Sequence, residues 1–280
     1  MGAWSSTLEG HSIFTARKLL RECIEWLSAD AAPGARQAGL VTAAIAISAR
    51  YRRVGRYWDP HLECTRAFLA TEAAACAQRR TAVILGAGAC LDVPLKTLAA
   101  TFDRVILVDA VFLRRTRRWV RQFPNVECLT YDLTESLGLL NKPEQPDLFA
   151  QLAAVRPRLL LDDAQVDFVA SVNLVSQLPL LPMRRLLASG RYASPAVNQL
   201  GLQLMAGHVR YLNAFTGRKA IVFDAEMWRL SPEGERREVV DLRPVLQLPH
   251  PPEQHWFWEV APASELRSGK LMHRVEAVAW

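Results

Sequence analysis

Val83-Ile-Leu-Gly-Ala-Gly-Ala-Cys-Leu-Asp-Val-Pro-Leu95 decides the fold. It begins inside a short apolar run, Thr81–Leu85, passes through Gly86-Ala87-Gly88-Ala89, and continues into Leu91–Ala100, which reads as helix. The run is rich in β-formers and predicts a buried strand. The glycines that follow let the backbone turn sharply and pass close to a ligand, and the next helix is expected to aim its first amides at the same spot.

Working outward, Arg104–Asp109 reads as a second strand, Val126–Thr130 as a third, Val166–Val172 as a fourth and Lys219–Asp224 as a fifth. Apolar strands alternating with helices predict parallel pairing with both faces of the sheet covered. Trp256–Val260 and Arg274–Trp280 read instead as an antiparallel pair closing one edge. Upstream, residues 1–80 read as three helices: one capped by Ser12 with Ile13, Phe14, Leu20, Ile24 and Leu27 on its apolar side, one from about Gln37 to Tyr51, and one opened by Asp59-Pro60 and running to about Gln78. Proline at a first helical position needs no amide, which is why Asp-Pro suggests a helix start. The expected organisation is a helical cap over 1–80 and one α/β domain over 81–280.

Half of the 280 residues are apolar and 22 % are charged, which excludes a disordered chain. No apolar run approaches the ~20 residues a membrane-spanning helix needs. The opening MGAWSSTLEGHS lacks a basic stretch followed by an apolar one, so a cytoplasmic location is expected. The five cysteines form no C-x-x-C pair, and no His/Cys/Asp grouping has metal-ligand spacing. Net charge is +6, but five arginines of one segment, Arg114, Arg115, Arg117, Arg118 and Arg121, reduce the remainder to +1. Phe112, Leu113, Trp119, Val120 and Phe123 recur there at helical spacing, so the segment reads as an amphipathic helix with a solvated cationic face rather than a nucleic-acid footprint.

The chemistry is expected at the strand ends. Asp109 ends the second strand, 21 residues after Gly88, where an acid accepts hydrogen bonds from ribose hydroxyls. Asp132 lies just past the third strand, where its carboxylate and the adjacent Leu133 amide face an adenine edge. Asp132-Leu-Thr-Glu135 reads equally as a capping box. Dinucleotide-binding turns want glycine or alanine three residues after the second glycine; bulky Leu91 stands there and favours a nucleoside without phosphates.

With these pieces in place the sequence resembles the class I S-adenosylmethionine-dependent methyltransferases. VILGAGACLDVPL (83–95) matches the glycine-rich first motif, VILVDA (105–110) the second and LTYDLT (129–134) the third, and VDFVASVNLVSQLPLLP (166–182) corresponds to the fourth-strand motif. The resemblance implies a three-layer Rossmann-like fold: a mostly parallel seven-stranded sheet with an antiparallel closing strand, covering about Thr81 to Trp280. It implies S-adenosylmethionine as cofactor. Gly86, Ala87 and Gly88 would lie near its amino-acid part, Asp109 and Ala110 near the ribose, Asp132 and Leu133 near the adenine, and Asn173 near the transferred methyl. Ile84 stands where many members carry an acid, and Cys90 where they carry a third glycine. Asp92 either takes over the methionine amino group or complements the helix dipole.

Catalytic candidates are Asn173 and His208; the latter is read chiefly as a buried structural histidine on the apolar face of Ala196–Phe215. Gln177 orients a substrate or caps the following segment. Tyr51-Arg-Arg53 and Tyr57-Trp-Asp-Pro-His61 gather polar and aromatic groups beside a turn, suited either to helix packing or to a substrate mouth. The expectation is methylation of a small-molecule acceptor, with no nucleic-acid or membrane partner. An NAD(P)-dependent oxidoreductase and a non-catalytic scaffold of the same fold are the rivals.

Overall fold

A computed structural model describes residues 22–141, 147–266 and 269–280. Its frame is an eight-stranded sheet built from β2 (Thr81–Leu85), β3 (Arg104–Asp109), β5 (Val126–Thr130), β6 (Val166–Val172), β7 (Arg218–Leu230), β8 (Arg236–Asp241), β9 (Gln254–Ala261) and β10 (Lys270–Ala279). Along the sheet the order is β5-β3-β2-β6-β7-β10-β9, with β8 paired to the far half of β7. The first five strands of that path are parallel, and β10 enters antiparallel between β7 and β9. Two short strands, β1 (Asp30–Ala31) and β4 (Val111–Phe112), form a separate antiparallel pair.

Strand alternation builds the layers. Ala82 and Ile84 face one hydrophobic core while Val83 and Leu85 face the other, and all four are fully buried. Burying both faces of such a strand contributes about 1.5–3 kcal/mol per large aliphatic side chain. On the first face lie α1 (Leu40–Ala74), through Phe68, Leu69 and Ala73, and α2 (Leu95–Thr101), through Leu95 and Leu98. The arginine-rich helix α3 (Arg114–Val120) adds Val120 there, while Arg114, Arg115 and Arg118 are exposed. On the second face, α7 (Ser194–Asn213) contributes Met205, Val209 and Leu212, and α8 (Arg243–Leu246) contributes Leu246. Three further helices, α4 (Leu137–Leu140), α5 (Leu148–Ala154) and α6 (Leu180–Ala188), surround α7 through Leu140, Leu152 and Leu186. This three-layer arrangement, with its parallel sheet and single inserted antiparallel strand, is the fold expected from the sequence.

Several elements depart from expectation. The sheet has eight strands rather than seven, because β8 extends it beyond the core as an exposed hairpin partner of β7. Asp59-Pro60 does not open a helix: α1 consists of two helical arms that meet at a kink at Val54, and Pro60 lies inside the second arm. Proline removes one internal hydrogen bond and crowds the preceding turn, and the chain leaves helical geometry upstream at Val54 (φ −125°, ψ 16°). Packing of Leu62, Phe68 and Leu69, all nearly inaccessible, holds the downstream arm helical despite the proline. Residues 22–28 are helical, but Ile24 and Leu27 are exposed there rather than packed on an apolar side, and the expected cap at Ser12 with Ile13, Phe14 and Leu20 lies outside the described residues. Finally, α2 starts at Leu95 rather than Leu91, because Pro94 disfavours helical geometry in the residue before it. The glycine turn is thus followed by a loop, and Asp92 belongs to that loop. Among the described residues no helix is long and apolar enough to cross a membrane.

Candidate active site

The carboxyl ends of β2, β3, β5, β6 and β7 meet at one edge of the sheet. Gly86 takes φ +81°, and a Cβ there would sit 2.8 Å from the Val172 carbonyl oxygen and 3.0 Å from Leu174 Cβ. Only glycine therefore lets the turn after β2 lie against the end of β6. At Gly88 (φ +31°) a Cβ would come within 3.2 Å of Asp109 Oδ2, the atom to which the Gly88 amide donates at 2.9 Å. The glycine turn and the acid after β3 are thus held together directly. Ala87 between the glycines is buried, and its amide donates to the Val108 carbonyl at 3.2 Å.

Asp109 is fixed from two sides: Oδ2 by Gly88, and Oδ1 by the Val111 amide at 3.1 Å. Burial pushes its carboxyl up to about 6; the backbone amides of Val111, Gly88 and Ala110 pull the other way, and nearby Asp92 adds to the rise. The neighbouring Ala110 carbonyl accepts the Ala32 amide at 2.9 Å, tying the 30–32 segment to this edge. Tyr131 donates its amide to the Asp109 carbonyl at 2.9 Å, which brings Asp132 alongside. Asp132 is engaged by its own turn: Oδ1 accepts the Thr134 amide at 3.0 Å and Oδ2 the Leu137 amide at 2.7 Å. The capping role is therefore present, with Leu137 rather than Glu135 at the receiving end, and Leu133 is buried beside it.

Asn173 sits just past β6 in left-handed geometry (φ 48°), its amide donating to the Val222 carbonyl at 2.8 Å. Its Nδ2 donates to Asp92 Oδ2 at 2.8 Å and lies 3.1 Å from His61 Nε2. Its Oδ1 is buried with no partner among the described residues. Burial raises the Asp92 carboxyl, with the Asn173 hydrogen bond acting against it. Gln177 Nε2 donates to the Asn173 carbonyl at 2.6 Å, so Gln177 serves as a clamp on this loop. Cys90 also adopts a left-handed conformation (φ 55°), at the position read as a missing glycine. Strained backbone thus stands on both sides of the crevice.

Sequence reading flagged the Tyr57–His61 cluster without assigning it, and the structure brings it to this edge. His61 Nδ1 accepts the Trp256 indole N–H at 2.9 Å, and its ring stacks on Trp258 at 4.1 Å. Burial lowers the imidazole to about 4, outweighing the pull of Asp224, so the ring is neutral. Trp58 meets Trp258 edge-on at 5.2 Å and donates its indole N–H to the Val260 carbonyl at 3.0 Å. Beneath them lies a group that the sequence reading missed. Asp224 Oδ1 lies 2.8 Å from His273 Nδ1, and Asp224 Oδ2 accepts the Ser176 hydroxyl at 2.8 Å. Burial would raise the Asp224 carboxyl, but His273, Ser176 and His61 hold it below the ordinary value. The signal available for Asp224 was its place at the end of the fifth strand, the same place Asp109 occupies on the second.

His208 is not part of this assembly. It lies on the opposite sheet face, fully buried, its Nε2 2.8 Å from Ser171 Oγ, and burial lowers it to about 4.

The donor set indicates what the crevice can take. Two partly buried carboxyls, Asp92 and Asp109, and an unpartnered amide oxygen on Asn173 call for hydroxyls and ammonium groups, and they repel phosphate. Glycines at 86 and 88 let the turn close on the end of β6 and on Asp109.

No protein-family model and no curated protein matches the chain. Among solved structures it is similar to the N-methyltransferase NodS from Bradyrhizobium japonicum, at 10 % identity over 76 % of this chain and 85 % of that one, with a TM-score of 0.34. It is also similar to a DhpI–SAH complex, at 16 % identity over 87 % and 97 % with a TM-score of 0.34. A third is the 1,6-didemethyltoxoflavin-N1-methyltransferase of Burkholderia thailandensis, at 12 % identity over 84 % and 88 %, again with a TM-score of 0.34. Likeness of this degree says nothing about activity, and the fold stands on the strand order itself.

Proposed function

We propose that this chain binds S-adenosylmethionine at the carboxyl edge of its sheet and transfers the methyl group to a small molecule. The observation that carries this reading is the Gly88–Asp109 hydrogen bond at 2.9 Å, which fuses the glycine turn and a partly buried acid into one cradle. Asp109 is assigned to the ribose hydroxyls, Gly86 to Gly88 and Asp92 to the amino-acid end, and the Asp132–Leu133 turn with Ala110 to the nucleoside flank. Asn173, with an unused buried oxygen, stands where the reacting groups would meet. The antiparallel β10 between β7 and β9 favours this reading over a nicotinamide-dependent enzyme.

When bound, the cofactor supplies a sulfonium methyl that is already electrophilic. The protein's work is then alignment and exclusion of water. The N-terminal segment serves as a cap: α1 lays Trp58 and His61 over Trp256 and Trp258, giving an apolar, aromatic cover suited to a small acceptor. The Asp224–His273 pair holds an imidazole at the same edge, placed to receive a proton from an acceptor.

Calorimetry with S-adenosylmethionine, S-adenosylhomocysteine and NADH tests the proposal. Binding of the first two supports it; binding of NADH alone assigns the crevice to a dinucleotide, and binding of none leaves a scaffold. Asp109→Ala is expected to weaken S-adenosylhomocysteine by about 1–3 kcal/mol through lost charge-assisted hydrogen bonds. Unchanged affinity in a folded variant removes Asp109 from the site.

A further inference from the structure

On the sheet face opposite the glycine turn, a cavity of about 380 Å³ lies between α7 and the segments 133–134 and 153–157. Its walls combine an apolar interior with a cationic rim. Leu133, Leu178 and Leu204 supply the apolar surface, while Arg156, Arg210 and Gln203 supply the polar groups, and among the described residues no acid lines it. Arg156 is held in place, Nη1 donating to the Ala153 carbonyl at 2.8 Å and the Val155 carbonyl at 2.7 Å. Gly207 leaves the α7 wall bare: a Cβ there would meet only Arg210 Nη2, at 3.6 Å. His208 also lines the cavity; its Nε2 is taken by Ser171, and its Nδ1 has no partner among the described residues.

We propose that this cavity is a second ligand site, for a small amphipathic carboxylate whose apolar body lies on the leucines and whose carboxylate meets Arg156 and Arg210. Two guanidiniums without a lining acid prefer an anion, since a planar fork of N–H donors matches a carboxylate. A volume of about 380 Å³ falls within the range of small-molecule pockets. The site shares Leu133 with the proposed nucleoside flank, but its anion is taken by Arg156 and Arg210, which have no part in the methyl-transfer reading, so the two readings are tested apart.

The probe is octanoate, with octanol as its uncharged counterpart, titrated into the full chain by calorimetry. Octanoate is expected to bind saturably and about tenfold more tightly than octanol. Gly207→Leu adds a side chain to the cavity wall at a place where a Cβ has room, and replaces a helix glycine, so it should raise Tm while abolishing octanoate binding. Arg156→Gln combined with Arg210→Gln changes two exposed positions; it should cost octanoate about tenfold and leave octanol unaltered. Absence of saturable octanoate binding, equal affinity for the two probes, or octanoate binding that survives either the filling variant or the double arginine variant overturns the proposal.

Discussion

Asp167 at the amino edge of the sheet and Asp109 at the carboxyl edge are treated in opposite ways. At the amino edge, Asp167 accepts the Arg80 amide at 2.8 Å and its guanidinium at 2.5 Å, and Glu72 is paired with Arg218. Arg80 holds the Asp167 carboxyl below its usual range, against the effect of burial. At the carboxyl edge, Asp109 and Asp92 are partly buried with backbone amides and a neutral amide for company, and both are raised, whereas Asp224 beside His273 is lowered as Asp167 is. The difference separates roles. An acid matched by an arginine is finished, and its worth is structural. An acid held only by neutral donors keeps lone pairs and an unfavourable charge that a ligand rich in hydroxyls and positive groups would relieve.

The largest expected effect breaks the carboxyl edge by shape rather than charge. Gly86→Ala should lose about 3 kcal/mol, from the left-handed conformation and the overlap with the Val172 carbonyl. A denaturant midpoint equal to wild type contradicts the close approach of β2 and β6. Next, Asp167→Ala should lose about 2 kcal/mol, less than for a fully buried pair because Arg80 is 41 % exposed. Asp109→Asn removes the penalty of ionising a raised acid but sets its Nδ2 against one of the two amides, Gly88 or Val111, that the carboxylate accepts, so at about pH 7 without ligand it should lose no more than about 1 kcal/mol. If Asp109→Asn is as damaging as Asp167→Ala, the contrast between the edges fails.

The same contrast fixes two signs of pH dependence. Asp167 is lowered in the folded state, so its contribution is present above its unfolded value of about 4 and disappears as pH falls through the folded one. Asp109 is raised, so its contribution is complete below about 4 and is lost as pH rises through about 6. Between about pH 4 and about pH 7 the unliganded protein should therefore lose a component of stability that Asp109→Asn lacks. Thermal melts of both proteins across that range check this, and parallel curves refute it.

Much of this edge was legible in the sequence because it is made of local signals: uninterrupted apolar strands, glycines directly after one of them, and acids directly after others. Thr81–Leu85, Arg104–Asp109, Val126–Thr130 and Val166–Val172 appear with the bounds read from the sequence. What escaped depended on distance or on weak patterning. Asp59-Pro60 carries a genuine helix-start signal, overridden by packing of the α1 arm on the sheet. Strand β8 has six exposed positions and therefore no apolar face to betray it. His273 lies one residue before the closing strand as read from the sequence, and it acquires meaning only when β10 sets it beside Asp224 on β7. Ala110, Leu133 and Asn173 followed from their neighbours, while the left-handed backbone at Cys90 and Asn173 has no signature in residue type beyond the tolerance of asparagine for it.

The insertion of β10 between β7 and β9 also orders the assembly of the molecule. Among the described residues β9 joins the sheet through β10, so residues 254–261 reach it as the outer strand of a hairpin whose inner strand, 270–279, pairs along β7. Hairpin pairing is local, whereas pairing of β10 with β7 spans a longer stretch of chain and is the slower step. Trp256 and Trp258 ride on the outer strand, so the aromatic cover reaches the crevice only once the hairpin has docked on β7.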